Sequence, residues 1–211
     1  MSLDKKSVRP LKVAVALLFG LLGADLSGAG EIGNRGPDQS LWSLSGSWQS
    51  DDGTSFSLTD LAGGPAVVAM FYTGCHVTCP VTVEAMAFVE HNLPPDLARR
   101  CRFVLVTLDP GGDTADELRA FRTEFVLSAR WVLLRTSRRT TRVLAERLGI
   151  DFQVGPYRTS HTSSLAVVDA SGRVVSIHSE VRPELRHLVA ELVALDRATG
   201  SETTTNEHPH G

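Results

Sequence analysis

Lysine is almost missing from this chain. Its 211 residues include three, Lys5, Lys6 and Lys12, and everything beyond residue 12 carries its positive charge on arginine. That excludes a phosphate-loop lysine or a Schiff-base lysine in the main domain. An excess of positive charge is lacking as well. The 21 basic and 24 acidic residues sum to −3, which offers no electrostatic footprint for nucleic acid. The apolar run at residues 13–23 is shorter than the roughly 20 residues of a membrane-spanning helix, and Asp25 closes it. Cysteine is scarce too: three residues, Cys75, Cys79 and Cys101, allow one pair and leave one over. No Pro-x-x-x-Thr-x-x-Cys pattern precedes Cys75, which argues against a peroxidase of the peroxiredoxin kind.

The start of the chain has the make-up of an export signal. Lys5, Lys6, Arg9 and Lys12 form a basic region, residues 13–23 form an apolar core, and Ser27-Gly28-Ala29 is a small-residue cleavage site. Residues 1–29 are expected to be a signal peptide or, uncleaved, an N-terminal anchor, with no cysteine near the cut to make a lipoprotein. Losing them removes four basic and two acidic residues and leaves 17 against 22, a net of −5. Export to an oxidising compartment, the bacterial periplasm, makes a cysteine pair meaningful. Residues 28–33 (GAGEIG) match Gly-x-Gly-x-x-Gly literally, but no strand precedes them and no helix follows, so the dinucleotide reading fails. Residues 30–46 are rich in Gly and Ser and read as a linker. The domain is expected over 47–198. A disordered polar tail, 199–211, carries His208 and His210.

Within the domain the organising stretch is FYTGCHVTCP, residues 71–80. The apolar, β-branched run at 66–72 reads as a strand buried on both faces, and Pro80 suits the first turn of a helix. Cys75 and Cys79 then lie between a strand end and a helix N-terminus, where the helix dipole favours the thiolate. Before this come a hairpin with an Asp52-Gly53 turn and a helical turn closed by Gly63-Gly64. After it come a helix from about Val81 to Asn92, stopped by Pro94-Pro95, and a buried strand at 102–108. Thr114 and Glu117 can form a capping box on the next helix, and residues 131–134 make a third short strand. A helix capped by Ser137 or Thr140 ends at Gly149, and residues 151–162 read as a polar loop. A late hairpin turns through 169–172, and a last helix buries Leu185, Leu188, Val189 and Leu192. The order gives an α/β fold of thioredoxin-like type. A mostly parallel central sheet is flanked by helices, with an N-terminal hairpin and a late antiparallel hairpin.

The cysteine loop alone permits three chemistries: a structural disulfide, a redox-cycling dithiol, or a metal site. Three residues separate the cysteines where thioredoxin-type motifs use two, and the wider ring lets both sulfurs point at one ion. With Ser40-Leu41-Trp42, FYTGCHVTCP, VTLDPGGDT (106–114) and SHTSSLAVVDASGRVV (160–175), the chain resembles the SCO/SenC proteins from about Leu41 to Leu195. The resemblance implies one copper ion, Cu(I) or Cu(II), bound by Cys75, Cys79 and His161. Two soft thiolates and an imidazole suit that metal. No proline lies between Pro156 and Pro183, where ordinary thioredoxin-like oxidoreductases place a cis-Pro, and His161 occupies that neighbourhood. The family often has Pro where His76 stands. His76 is expected to be an exposed loop residue, His91 and His187 solvated, and His178 structural. Asp109 and Asp113 are expected to make a turn and a helix cap, and Cys101 a small buried hydrophobe.

The function the resemblance implies is a monomeric, membrane-proximal metallochaperone. It would deliver copper to the copper-site subunit of cytochrome c oxidase, at the binuclear site, or to another copper or thiol protein. The alternative is a thiol–disulfide oxidoreductase in which Cys75 and Cys79 are catalytic and keep partner cysteines reduced. A disulfide-stapled binding module is the bland remainder.

Overall fold

In a computed structural model the described residues are 40–154, 159–161, 163–179 and 184–203. Among these described residues nine strands and five helices follow one another as β1 (Trp48–Ser50), β2 (Ser55–Phe56), β3 (Ala66–Phe71), α1 (Thr78–Asn92), α2 (Pro95–Arg100), β4 (Arg102–Thr107), α3 (Ala115–Glu124), β5 (Trp131–Arg135), α4 (Arg138–Arg147), β6 (Phe152–Val154), β7 (Thr159–His161), β8 (Leu165–Val168), β9 (Val174–His178) and α5 (Leu185–Thr203). Seven strands make one sheet in the order β2-β1-β5-β4-β3-β8-β9, and β6 pairs with β7 in a separate ribbon. The central strands β3, β4 and β5 are parallel; β1 and β8 run against them at the two flanks. This is the expected thioredoxin-like α/β arrangement with hairpins at both ends.

The central strands read as continuous apolar runs because each buries both faces. Alternate residues of β3 go to opposite sides. Val67, Ala69 and Phe71 face a layer built by α1, α3 and α5 through Val83, Met86, Leu118, Phe121, Leu188 and Leu192. Ala66, Val68 and Met70 face α4 and two short 3-10 turns through Leu144, Leu148, Leu41 and Leu61. At about 25 cal/mol per Å² of apolar surface removed from water, these two layers dominate the folding free energy. Parallel pairing also sets the geometry of the site. The chain leaves β3, β4 and β5 at one edge of the sheet, so the loops after Phe71, Thr107 and Arg135 lie along that edge.

Local signals hold where the determinants are local. Thr114 caps α3, with a reciprocal bond from Glu117. Ser137 caps α4. Gly53, Gly149 and Gly172 sit at positive φ. Four expectations are corrected. Pro94-Pro95 does not stop helix: α1 ends at Asn92, and Pro95 takes the first position of α2, where its missing N–H costs nothing. The expected polar loop at 151–162 contains β6 and β7. Residues 40–43, inside the expected linker, are packed: Leu41 and Trp42 are buried, Leu41 N–H bonds to Gly172 O at 2.7 Å, and Ser40 Oγ bonds to Ser171 O at 2.6 Å. The last helix runs to Thr203, past the expected domain end at 198. His208 and His210, and the proposed signal over 1–29, lie outside the described residues.

Candidate metal centre

Strand β3 ends at Phe71, and a turn closed by Cys75 N–H to Tyr72 O (3.1 Å) brings the chain back over the sheet edge. Helix α1 starts at Thr78, so Cys79 lies in its first turn and Pro80 just behind it, one turn earlier than expected. Both cysteines are thiols and both are buried, Cys75 at 7% and Cys79 at 1% exposure, packed with Phe71, Val83 and Phe121. The Cys75 sulfur accepts the Cys79 backbone N–H at 3.2 Å and lies 3.2 Å from the Thr78 hydroxyl.

The thiol of Cys79 is shifted upward, against the expected effect of the helix dipole. Burial contributes most, its hydrogen bond with Cys75 and the charge of Asp113 add to it, and a Tyr72 N–H bond opposes. Desolvation of the anion outweighs a partial positive charge at the helix start. The pair is therefore asymmetric: Cys75 accepts the Cys79 N–H at the helix start, while burial holds the proton on Cys79. Cys101 plays no part in this. It is fully buried just before β4, and burial pushes its thiol up to about 12.

The expected helix-cap role of Asp113 is wrong. Thr114 is the cap, and the buried Asp113 carboxylate turns the other way. It accepts the Thr73 N–H (3.2 and 3.3 Å), the Thr73 hydroxyl (2.5 Å) and the Thr107 hydroxyl. Asp113 thus ties the cysteine loop to the end of β4, two residues before Cys75. Burial raises its carboxyl above the ordinary aspartate range although the Thr107 and Thr73 bonds oppose. The sequence shows Thr73 and Asp113 as residues forty apart, and only the β3–β4 pairing makes them neighbours. Asp109 does what was expected: its Oδ1 accepts Gly112 N–H at 3.1 Å and closes the turn.

His161 ends β7 opposite Phe152; its side chain lies outside the described residues. The backbone nevertheless fixes the end of the sheet it approaches. Strand β8 enters opposite β3 with Leu165 beside Ala69, two residues before β3 ends, and runs the other way. The chain just before Leu165 therefore comes from the cysteine edge. His161 is four residues upstream, at most roughly 14 Å of extended chain. Of the other histidines, His76 and His91 are exposed, His187 lies 3.4 Å from Glu184 on the surface, and His178 bonds Ser176 and Glu191 at 3.0 and 3.1 Å. Among the described residues no three His, Cys, Asp or Glu cluster as a metal site. The two sulfurs are the donor set on view. Two adjacent thiols, one of them hydrogen-bonded at a helix start, fit a soft, thiophilic ion. No helix among the described residues is long and apolar enough to cross a membrane.

Comparison with known proteins matches residues 43–195 to the SCO1/SenC family model. A curated protein of Stutzerimonas stutzeri, described as a candidate copper-binding protein, is 27% identical over 136 residues, 62% of this chain. The chain spans 64% of the length of that relative. Among solved structures, ScoI of Bradyrhizobium japonicum with copper bound is 18% identical with a TM-score of 0.60, over 71% of this chain and 96% of that one. A SCO1/SenC family lipoprotein of Bacillus anthracis is 22% identical with a TM-score of 0.63, over 75% and 98%. At these identities the solved structures establish the fold.

Proposed function

The chain belongs to the SCO1/SenC family, and from that membership we propose that it is a copper metallochaperone working outside the cytoplasmic membrane. The observation that carries this is the pair of buried cysteine sulfurs, Cys75 and Cys79, brought together at the start of α1. The copper named in the descriptions of the Stutzerimonas and Bradyrhizobium relatives supports it. His161, on the chain that reaches the same sheet edge, is the third ligand.

Each residue has a part in loading. Cys75 offers a sulfur already stripped of water and aligned by the helix start. Cys79 gives up its proton only when an ion takes its place, because burial disfavours the bare thiolate. Asp113 and Thr73 hold the loop at one height above the sheet. Unloading proceeds by ligand exchange, a partner's thiolates displacing these one at a time. The recipient is the binuclear copper site of cytochrome c oxidase during its assembly. The protein is a monomer exported by residues 1–29, which are either removed as a signal peptide or kept as a membrane anchor.

The test is an anaerobic Cu(I) titration of the purified, reduced protein, beside the same protein with Cys75 and Cys79 oxidised. Tight one-to-one binding is expected only in the reduced form, and His161→Ala should weaken it by at least about tenfold. Unchanged affinity in that variant overturns the ligand set.

A second reading, thiol–disulfide oxidoreductase, is favoured by the asymmetry of the pair. The Cys75 thiolate would attack a partner disulfide, and the Cys79 sulfur would then release the partner. The products are a Cys75–Cys79 disulfide and two reduced partner thiols. That cycle has no use for His161, so the His161→Ala variant separates the two readings.

A further inference from the structure

Helix α1 begins without an ordinary cap. Its N-cap position is Val77, whose side chain has no oxygen to offer and stands 78% exposed. The backbone N–H of Cys79 is instead taken by the Cys75 sulfur at 3.2 Å, and the Thr78 hydroxyl sits 3.2 Å from the same atom. The sulfur occupies the place a Ser or Asp oxygen fills at most helix starts. Thr78 is itself fixed. It is β-branched, so few rotamers are open to it, and its carbonyl accepts the Thr82 hydroxyl one turn on at 3.1 Å.

We propose that Thr78 is a positioning residue for the Cys75 sulfur. Its hydroxyl and the Cys79 N–H clamp the sulfur against the helix start and set the direction from which an ion or thiol approaches it. The proposal deepens the copper reading and rests on it for the ion, while the geometry in the metal-free protein stands by itself. Hydrogen bonds to ligand sulfurs are the outer-shell contacts that set how tightly a thiolate holds a metal.

The experiment compares Thr78→Val, which keeps the shape and loses the hydroxyl, with Thr78→Ser, which restores it, in the full-length reduced protein. Thr78→Ala stands in should the valine variant fail to fold by circular dichroism. Two readings are taken: Cu(I) affinity against a chromogenic chelator, and the rate at which the metal-free protein exchanges with glutathione disulfide. The apolar variant should bind Cu(I) about tenfold more weakly. It should exchange about threefold more slowly, and serine should bring both within about twofold of the parent. Unchanged values in the apolar variants overturn the proposal, and so does a serine variant that fails as valine does, because the loss is then one of packing. A parent protein that does not bind copper refutes the metallochaperone reading instead, and the exchange rates still decide the role of Thr78.

Discussion

Replacing Asp113 with Asn tests how the cysteine loop is held. The carboxylate accepts three donors, the N–H and hydroxyl of Thr73 and the hydroxyl of Thr107, in a site 4% exposed. Asn keeps the shape and one acceptor oxygen but turns the other acceptor into a donor. Both hydroxyls can rotate to accept from it, whereas the Thr73 N–H cannot. One buried group left poorly paired costs about 1–3 kcal/mol. The variant should therefore lose about 1–2 kcal/mol at neutral pH, or roughly 2–8 °C in melting temperature for a domain of this size. The pH dependence is the sharper reading. Burial raises the folded-state pKa of Asp113 above its ordinary value of 3.8, and the Thr107 and Thr73 bonds, which favour the anion, offset that rise only in part. Stability from a raised group is present below the unfolded pKa and is lost as pH climbs through the folded one. The parent thus loses stability above pH 3.8 that the Asn variant does not, so the cost of Asp113→Asn is largest in acid and shrinks toward neutrality. Urea denaturation of both reduced proteins from about pH 3.5 to 7 measures it. A cost that grows toward neutral pH refutes the reasoning, because the three donors would then outweigh burial and hold the group as an anion.

Cys101 should make the fold sensitive to alkali. Its thiol is raised from 9.0 to about 12, so its stabilising contribution is lost as pH rises from 9.0 toward 12, roughly 1 kcal/mol of it by pH 10. In Cys101→Ala the decline from pH 8 to 10 should be shallower by about that amount, and parallel curves would show that the buried thiol is not responsible. Gly172→Ala should be costly, about 2–4 kcal/mol by denaturant melt. Its φ is +90°, and an added Cβ would run into Ser40 Oγ and come within 2.6 Å of the Trp42 ring. An alanine variant as stable as the parent would mean that residues 40–42 do not pack against this turn.

What could be read from the sequence follows the range of the determinant. The buried strand β3, the cysteine loop and the Thr114–Glu117 capping box are each specified within ten residues, and all form at the expected stretches, although helix takes over from the cysteine loop one turn early. The packing of Trp42 was missed because the turn it meets carries Ser171, 131 positions after Ser40. The β6–β7 ribbon was missed because each strand has three residues, too few for a period to declare itself among polar neighbours. Asp113 was placed in its turn correctly but given the wrong partner, since nothing in DPGGDT says which strand lies beside it.

The same distinction explains why the ionisation of the cysteines was misjudged. A helix N-terminus is visible in the sequence, and by itself it predicts a lowered thiol. The depth of the site is not visible: Cys79 is buried in the same core layer as Phe71 and Phe121, and Phe121 comes from a helix some forty residues later. Burial at that depth reverses the sign for Cys79, leaving the helix-start hydrogen bonds to act on Cys75. A site in which both sulfurs were ionised in the resting protein would react with any oxidant that reached it. Here the Cys79 proton leaves only against a ligand that replaces it, which suits the copper-carrying role proposed above.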